Sequence, residues 1–145
     1  MIRTFPLSMA CLLGALAAPP PLAAQTTLGA EAQAQAPQSI VLYFDMGSAV
    51  IRPSDVALLD QAARLYRDGN PIVMVLTGAT DSVGLPEANL RISQLRTASV
   101  LRGLVARGLP AERFQLHAKA ESEPAVPTAP GVAEPRNRRV EIRWR

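Results

Sequence analysis

Residues 76–96, LTGATDSVGLPEANLRISQLR, contain the change from strand to helix around which the rest of the chain is arranged. The apolar run that leads into it, residues 72–76, has the length and β-branching of a buried strand. Gly84 allows a tight turn, and Pro86 is favourable at the first position of a helix. The pattern therefore predicts a strand that ends with this apolar run and a helix from Pro86 to about Arg107.

Polar side chains fall on one face of the predicted helix. Asn89, Ser93 and Arg96 are spaced by four and three residues, which returns nearly to the starting direction on a helix. Asp81 stays on the loop between strand and helix, where ligands collect in α/β folds. This arrangement suits a zwitterion, with Asp81 accepting from an ammonium and Arg96 binding a carboxylate. The alternative from spacing alone is an Asp81–Arg96 salt bridge that holds the loop.

The motifs in this stretch resemble the signature of the OmpA-like C-terminal domain, the peptidoglycan-binding module of outer-membrane porins, Pal-type lipoproteins and flagellar stator proteins. The resemblance covers about residues 39–145 and is carried by Thr80-Asp81-x-x-Gly84, Asn89, Ile92-Ser93-x-x-Arg96, and residues 137–142, NRRVEI. It implies that Asp81 and Arg96 hold the free amino and carboxylate groups of diaminopimelate in the peptidoglycan stem peptide. The chain resembles a stand-alone or Pal-like member of the family.

The chain also departs from the family pattern in four places. Ala79 stands where His or Tyr is usual, residues 118–120 replace Gly-x-Gly, residues 133–134 replace Gly-Arg, and Thr97 replaces Ala. These departures leave open an alternative function, in which the pocket has lapsed and the domain is a scaffold for a protein partner. An outer-membrane or envelope protein would be the expected kind of partner.

The remaining elements predict a two-layer α/β sandwich. Residues 40–44 form an apolar first strand that we expect to be covered on both faces, and a helix begins at Pro53. Residues 114–118 alternate between apolar and polar as the third strand, and residues 138–144 form the last. The order β-α-β-α-β-β predicts a mixed four-stranded sheet with two main helices on one face.

The predicted ligand-binding residues are Asp81, Arg96, Asn89, Thr80, Ser93 and Arg138. Arg138 lies at the edge of the inward face of the last strand, so we expect it to line the pocket or to support Asp81. Capping a loop carbonyl or pairing with a surface acid is an equally good interpretation of Arg138.

Catalysis and metal binding are both disfavoured. Ser82 or Glu87 beside Asp81 could be imagined as catalytic groups of a wall hydrolase, but a serine nucleophile needs a nearby base. His117, the one histidine, is predicted on the outward side of the third strand with Gln115. We therefore expect neither an enzyme, nor a cofactor, nor a metal site.

The first residues resemble a secretory signal peptide. Arg3 precedes a short apolar core, and small residues end at Ala24, where we expect cleavage; Ala17 is a second candidate. Lipidation at Cys11 is the alternative, because a small residue precedes it. The position of Cys11 inside the apolar core argues against lipidation. Residues 25–38 are predicted to be a flexible linker before a domain at residues 39–145.

The charge of the chain excludes some partners. Without Arg3 the sequence has 14 basic and 12 acidic residues. This excess of positive charge is too small to indicate a nucleic-acid-binding domain. The sequence therefore predicts a periplasmic, wall-associated binding module, with outer-membrane association if Cys11 is lipidated.

Overall fold

A computed structural model describes residues 39–69 and 73–144 of the protein. The helices and strands are β1 (Ser39–Tyr43), α1 (Val56–Gly69), β2 (Met74–Ala79), α2 (Pro86–Val105), β3 (Phe114–Ala120) and β4 (Arg139–Trp144). Short 3-10 turns cover Pro53–Asp55, Ala111–Arg113 and Pro135–Asn137. This element order confirms the predicted α/β sandwich. The predicted signal peptide and linker lie outside the described residues.

The four strands form one mixed sheet in the order β1-β4-β2-β3. Strand β4 is antiparallel to both of its neighbours, and β2 is parallel to β3. Ile142 pairs with Ile40 on one side and with Leu76 on the other. The last strand therefore lies in the middle of the sheet, between the first and the second.

The core lies between one face of the sheet and both helices. Its centre is formed by apolar side chains of all these layers, including Leu42, Leu76, Ile142, Leu59 and Val100, which are 0–2% exposed. Burial of such side chains is the main favourable term in folding, at roughly 25 cal/mol per Å² of apolar surface.

Two predictions about the strands are wrong in detail. Strand β1 is not covered on both faces, because Ile40 and Leu42 point into the core while Val41 is half-buried and Tyr43 is exposed. Strand β2 does not end at residue 76 but continues to Ala79, since residues 77–79 pair with β4 and β3 on either side.

Strand β3 lies at the edge of the sheet, and its side chains are therefore more exposed than those of the inner strands. Gln115 and His117 are exposed, as the alternation predicts. Leu116, which pairs with Leu76, is also 47% exposed because the helices cover this edge only in part. His117 pairs with Thr77, so it lies on the face of the sheet opposite the helices.

Candidate ligand-binding site

The site lies at the edge of the sheet where β1, β2 and β3 end and β4 begins. Tyr43 and Ala79 both pair with Arg139, and Ala79 also pairs with Ala120. The loops that follow three strands and the segment that precedes the fourth therefore lie side by side. Residues far apart in the sequence are brought into one site at this edge.

The loop between β2 and α2 divides this edge into two cavities. Asp81 and Val83 line one of them, Thr80 and Ser82 line the other, and Gly84 lines both. Successive residues of an extended loop point in opposite directions, which explains the alternation. Gly84 has φ +98, a conformation that favours glycine, so the loop can turn here into the helix.

We name the first cavity the Asp81 cavity. Its volume is about 300 Å³. Its polar lining consists of Asp81, Asn89, Arg96 and Arg138, and its remaining lining consists of Met46, Gly47, Val83, Gly84, Ala88 and Ile92.

We name the second the Thr80 cavity. Its volume is about 560 Å³. It is lined by Thr80, Ser82, Gly84, Glu121, Asn137 and four residues of the proline-rich segment 124–131.

Asp81 forms an ion pair with Arg138. Arg138 Nη1 donates to Asp81 Oδ2 over 2.9 Å, and the backbone N–H of Glu134 donates to the same oxygen over 3.3 Å. Arg138 Nε also donates to the carbonyl of Phe44 over 3.2 Å. Arg138 thus both supports Asp81 and caps a loop carbonyl, which are the two interpretations that the sequence left open. Because both of its contacts use Oδ2, Asp81 can accept from a ligand through Oδ1.

Arg96 is held by three backbone carbonyls. Its Nε, Nη1 and Nη2 atoms donate to Ser48, Ala79 and Asp45 over 2.8, 3.1 and 3.0 Å. The side chain is 1% exposed, and its guanidinium lies 5.3 Å from the centroid of the Phe44 ring, within cation–π range. Each Nη atom carries a second N–H, so the guanidinium keeps two N–H groups beyond these three hydrogen bonds.

The ion pair of Asp81 with Arg138 replaces the Asp81–Arg96 salt bridge that spacing alone allowed. Asp81 and Arg96 both lie in the described part of the chain, and they form no direct ion pair with each other. Burial, together with the neighbouring Arg138, lowers the pKa of Arg96 to about 10, and the nearby Asp81 opposes this shift. Arg96 remains protonated at neutral pH. The Asp81 cavity therefore holds two guanidinium groups and one carboxylate, and attracts an anion.

The other predicted site residues are separated by the structure. Asn89 lines the Asp81 cavity, and its side-chain amide donates to Glu121. Thr80 lines the Thr80 cavity instead. Ser93 is fully buried, donates to the carbonyl of Leu90 over 2.8 Å and lines neither cavity. The three residues of the predicted polar row therefore share the buried face of α2, but Ser93 lies against strand β2 and does not reach a cavity.

Ser93 lies where helix α2 comes close to Gly78 of strand β2. A Cβ added at Gly78 would lie 2.6 Å from the carbonyl oxygen of Ser93 and 2.7 Å from Cγ2 of Thr97. Real Cβ atoms do not come this close to other atoms. The glycine therefore sets the distance between α2 and β2, and so the position of Arg96 over the sheet.

Groups for catalysis are not brought together at this edge. Ser82 Oγ donates to the carbonyl of Ala129 over 3.0 Å, and His117 lies on the opposite face of the sheet, pairing with Thr77. Within residues 39–69 and 73–144, no group of three or more His, Cys, Asp and Glu side chains could hold a metal. Over the same ranges, no helix is long and apolar enough to cross a membrane.

Residues 43–138 match the OmpA family. The chain belongs to the OmpA family. It is 31% identical over 124 residues to outer membrane protein A of Bordetella avium, an alignment that covers 86% of this chain and 59% of that protein. The chain thus spans less than two thirds of that relative's length.

Two solved structures are similar to this domain. The peptidoglycan-associated lipoprotein from Burkholderia pseudomallei has a TM-score of 0.67 at 25% identity, covering 72% of this chain and 89% of that one. The cell wall anchor of the T6SS from Pseudomonas aeruginosa has a TM-score of 0.59 at 28% identity, covering 72% and 78%. The OmpA-like fold predicted from the motifs is therefore confirmed.

One departure from the OmpA-family pattern has a structural consequence. Ala120 stands at the second glycine of the usual Gly-x-Gly and has φ +50, the one left-handed conformation of a non-glycine residue in the described part of the chain. The pairing of β2 with β3 shifts register here, since Gly78 pairs with Ala118 and Ala79 with Ala120. The carbonyl of Ala120 accepts from the backbone N–H of Thr80 over 2.8 Å. Strained backbone thus supports the loop that carries the site.

Sequence reasoning missed the contribution of Glu121. Its carboxylate connects the third strand to helix α2 through Asn89, yet it sits in a segment with no periodic pattern. The prolines that follow Glu121 indicate an irregular connection, and this was the one feature of the sequence that pointed to this segment.

Proposed function

We propose that this OmpA-family domain binds peptidoglycan non-covalently, through a stem-peptide residue that carries both an ammonium and a carboxylate, as diaminopimelate does. The observation that carries the proposal is the placement of Asp81 beside Arg96 and Arg138 in one cavity of about 300 Å³. Cavities of roughly 300–1,000 Å³ are typical of sites for small ligands.

The cavity offers one charged partner for each end of a zwitterion. Asp81 Oδ1 accepts from the ligand ammonium, and the remaining N–H groups of Arg96 donate to the ligand carboxylate. The two groups are already held in place by Arg138 and by three backbone carbonyls. Such preorganisation lowers the entropy that the protein loses on binding.

The rest of the cavity suits an aliphatic chain. Met46, Val83, Ala88 and Ile92 line it together with the polar residues. Met46 is 59% exposed and lies at the mouth, where its flexible side chain can cover the methylene groups of a bound ligand. Diaminopimelate has such methylene groups between its two amino acid centres.

The function is binding without turnover. The hydroxyl of Ser82 is engaged with a backbone carbonyl, and the charged groups of the Asp81 cavity hold one another in place. The resemblance to a peptidoglycan-associated lipoprotein and to a cell wall anchor supports a structural role in the envelope. Incubation with sacculi should therefore release no soluble fragments.

Retention on sacculi tests the proposal. The purified chain should sediment with sacculi that contain diaminopimelate and much less with lysine-type sacculi, whose stem-peptide side chain ends in an ammonium without a carboxylate. Asp81→Asn keeps the shape of the side chain and removes its charge, and losing one partner of a charged contact costs on the order of 2–5 kcal/mol. Binding should fall at least tens-fold.

Two comparisons make the result specific. Glu112→Gln, an exposed acid outside both cavities, should bind as the unaltered protein does. A folded Asp81→Asn variant that is fully retained would overturn the proposed clamp. Equal retention on both kinds of sacculi would overturn the preference for diaminopimelate.

We further propose that the domain works in the periplasm, after cleavage of the first residues at Ala24. The intact mass of the exported protein tests this. A chain that begins at Gln25 is expected; a lipid-sized excess on a chain that begins at Cys11 would contradict it and indicate an outer-membrane anchor instead.

A further inference from the structure

The Thr80 cavity is separate from the groups that bind the zwitterion. It lies on the other side of the β2–α2 loop, between that loop and the segment that joins β3 to β4. At about 560 Å³ it is the larger of the two cavities described above. None of the charged groups of the Asp81 cavity lines it.

A buried hydroxyl in its wall has no hydrogen-bond partner. Thr80 is 2% exposed, and its Oγ1 atom makes no hydrogen bond in the described structure. Buried polar groups are almost always paired, and an unpaired one is costly. The neighbouring Asn137 shows the usual situation, because its side chain both donates to and accepts from the backbone of Val126, over 2.8 and 2.9 Å. The hydroxyl of Thr80 is thus an unpaired, covered group on a residue that lines the cavity.

The two cavities are directly adjacent. Gly84 lines both and presents no side chain between them. Asn89 of the Asp81 cavity donates to Glu121 of the Thr80 cavity, so the two sites share a hydrogen bond. A ligand held by Asp81 can therefore extend over Gly84 into the second cavity.

The charge of the second cavity is opposite to that of the first. Glu121 is its one charged lining residue, and the others are hydroxyl, amide, proline or glycine residues. A carboxylate in this place would be repelled by Glu121, whereas an N–H group could donate to it. Thr80 Oγ1 is covered in the unliganded structure, and a rotation about χ1 would let it donate to a carbonyl oxygen of the same ligand.

Building on the proposed function, we infer that the Thr80 cavity is a second subsite, which takes the neutral peptide unit next to the zwitterionic residue and disfavours a free carboxylate there. Glu121 is the residue that makes this distinction. The domain would then prefer stem peptides in which the group beside diaminopimelate is an amide.

A pair of matched ligands tests this inference. The two ligands are diaminopimelate acetylated on one amino group, with the carboxyl group of that same centre free, and the same compound with that carboxyl group converted to a carboxamide. Isothermal titration measures both affinities. The carboxamide should bind about fivefold more tightly, the size of effect expected from one partly exposed charge pair. Glu121→Gln, which keeps an acceptor for Asn89, should reduce this ratio to about one.

Two further variants separate binding from structure. Glu123→Gln alters a nearby exposed acid that lines neither cavity, and should keep the fivefold ratio. Thr80→Val replaces the unpaired hydroxyl with a methyl group of the same size. It should weaken binding of the carboxamide several-fold while leaving the melting temperature equal or higher.

The outcomes of the two proposals can be told apart. Failure of both matched ligands and of diaminopimelate itself to bind would overturn the proposed function and this inference with it. Binding of both matched ligands with equal affinity, or an unchanged ratio in Glu121→Gln, would overturn the inference alone.

Discussion

Arg138 Nη1 and Asp81 Oδ2 lie 2.9 Å apart, between side chains that are 12% and 6% exposed. Arg138 lies immediately before the last strand, and Asp81 lies in the loop after the second. Their pairing connects the central strand to the loop that carries the ligand groups. A buried pair of this kind is weak evidence for stability, but removing one partner leaves an uncompensated charge.

Removing Arg138 should therefore destabilise the domain. Arg138→Ala is expected to lower the free energy of unfolding by about 3 kcal/mol, because the Asp81 carboxylate and the Phe44 carbonyl both lose their donor. Urea unfolding measures the change. In an Asp81→Ala background, Arg138→Ala should lower the free energy of unfolding by clearly less, since no Asp81 carboxylate is left unpaired. An equal cost in both backgrounds would show that the two residues do not interact.

The left-handed backbone of Ala120 predicts a stabilising substitution. Ala120 has φ +50, and a side chain in this region costs on the order of 1 kcal/mol relative to glycine. Ala120→Gly should raise the free energy of unfolding by about that amount, measured by thermal or urea unfolding. Ala118→Gly, in the same strand and outside the left-handed region, is the control and should be destabilising. Loss of stability in Ala120→Gly would contradict the assignment of strain.

The close contact at Gly78 predicts that a larger residue at this position destabilises the domain. Gly78→Ala places a methyl group against the Ser93 carbonyl and the Thr97 side chain, so helix α2 has to move. Such overpacking typically costs about 1–3 kcal/mol. Adding Thr97→Ala should recover part of this cost, because only the backbone contact remains. Gly69→Ala, where a Cβ meets nothing within 4 Å, should be close to neutral in the same unfolding experiment.

Asp55 predicts a dependence of stability on pH. It is 8% exposed and accepts from the Tyr43 backbone N–H, from Ser54 and from Arg52. Burial alone would raise the pKa of Asp55, but these hydrogen bonds outweigh it and lower the pKa below the ordinary 3.8. Its contribution is therefore fully present above about pH 4 and is lost as the pH falls towards the lowered value.

The measurement compares the protein with Asp55→Asn. At pH 7 the variant should be less stable by about 1–2 kcal/mol, since an amide replaces a charged acceptor. The difference between the two proteins in urea unfolding should shrink as the pH is lowered below 4. A difference that stays constant down to pH 2 would contradict the lowered pKa of Asp55.

The sequence by itself determined which elements form and in what order. Helix start and stop signals are local properties: Pro86 predicts where α2 begins and the glycine at position 108 predicts where it ends, without any knowledge of the neighbouring elements. The same local pattern, with the family resemblance, pointed to Asp81 and Arg96. It could not determine where β2 ends, because residues 77–79 are held in the strand by partners on both sides.

Only the tertiary structure decided how the site is assembled. The insertion of β4 between β1 and β2 brings Arg138 to Asp81, and the contact of α2 with Gly78 directs Ser93 into the fold. The alternation along the β2–α2 loop assigns Thr80 and Asp81 to different cavities. These relationships depend on pairing between strands that are distant in the chain. A local pattern specifies which side chains share a face, but not which loops that pairing brings to the same edge of the sheet.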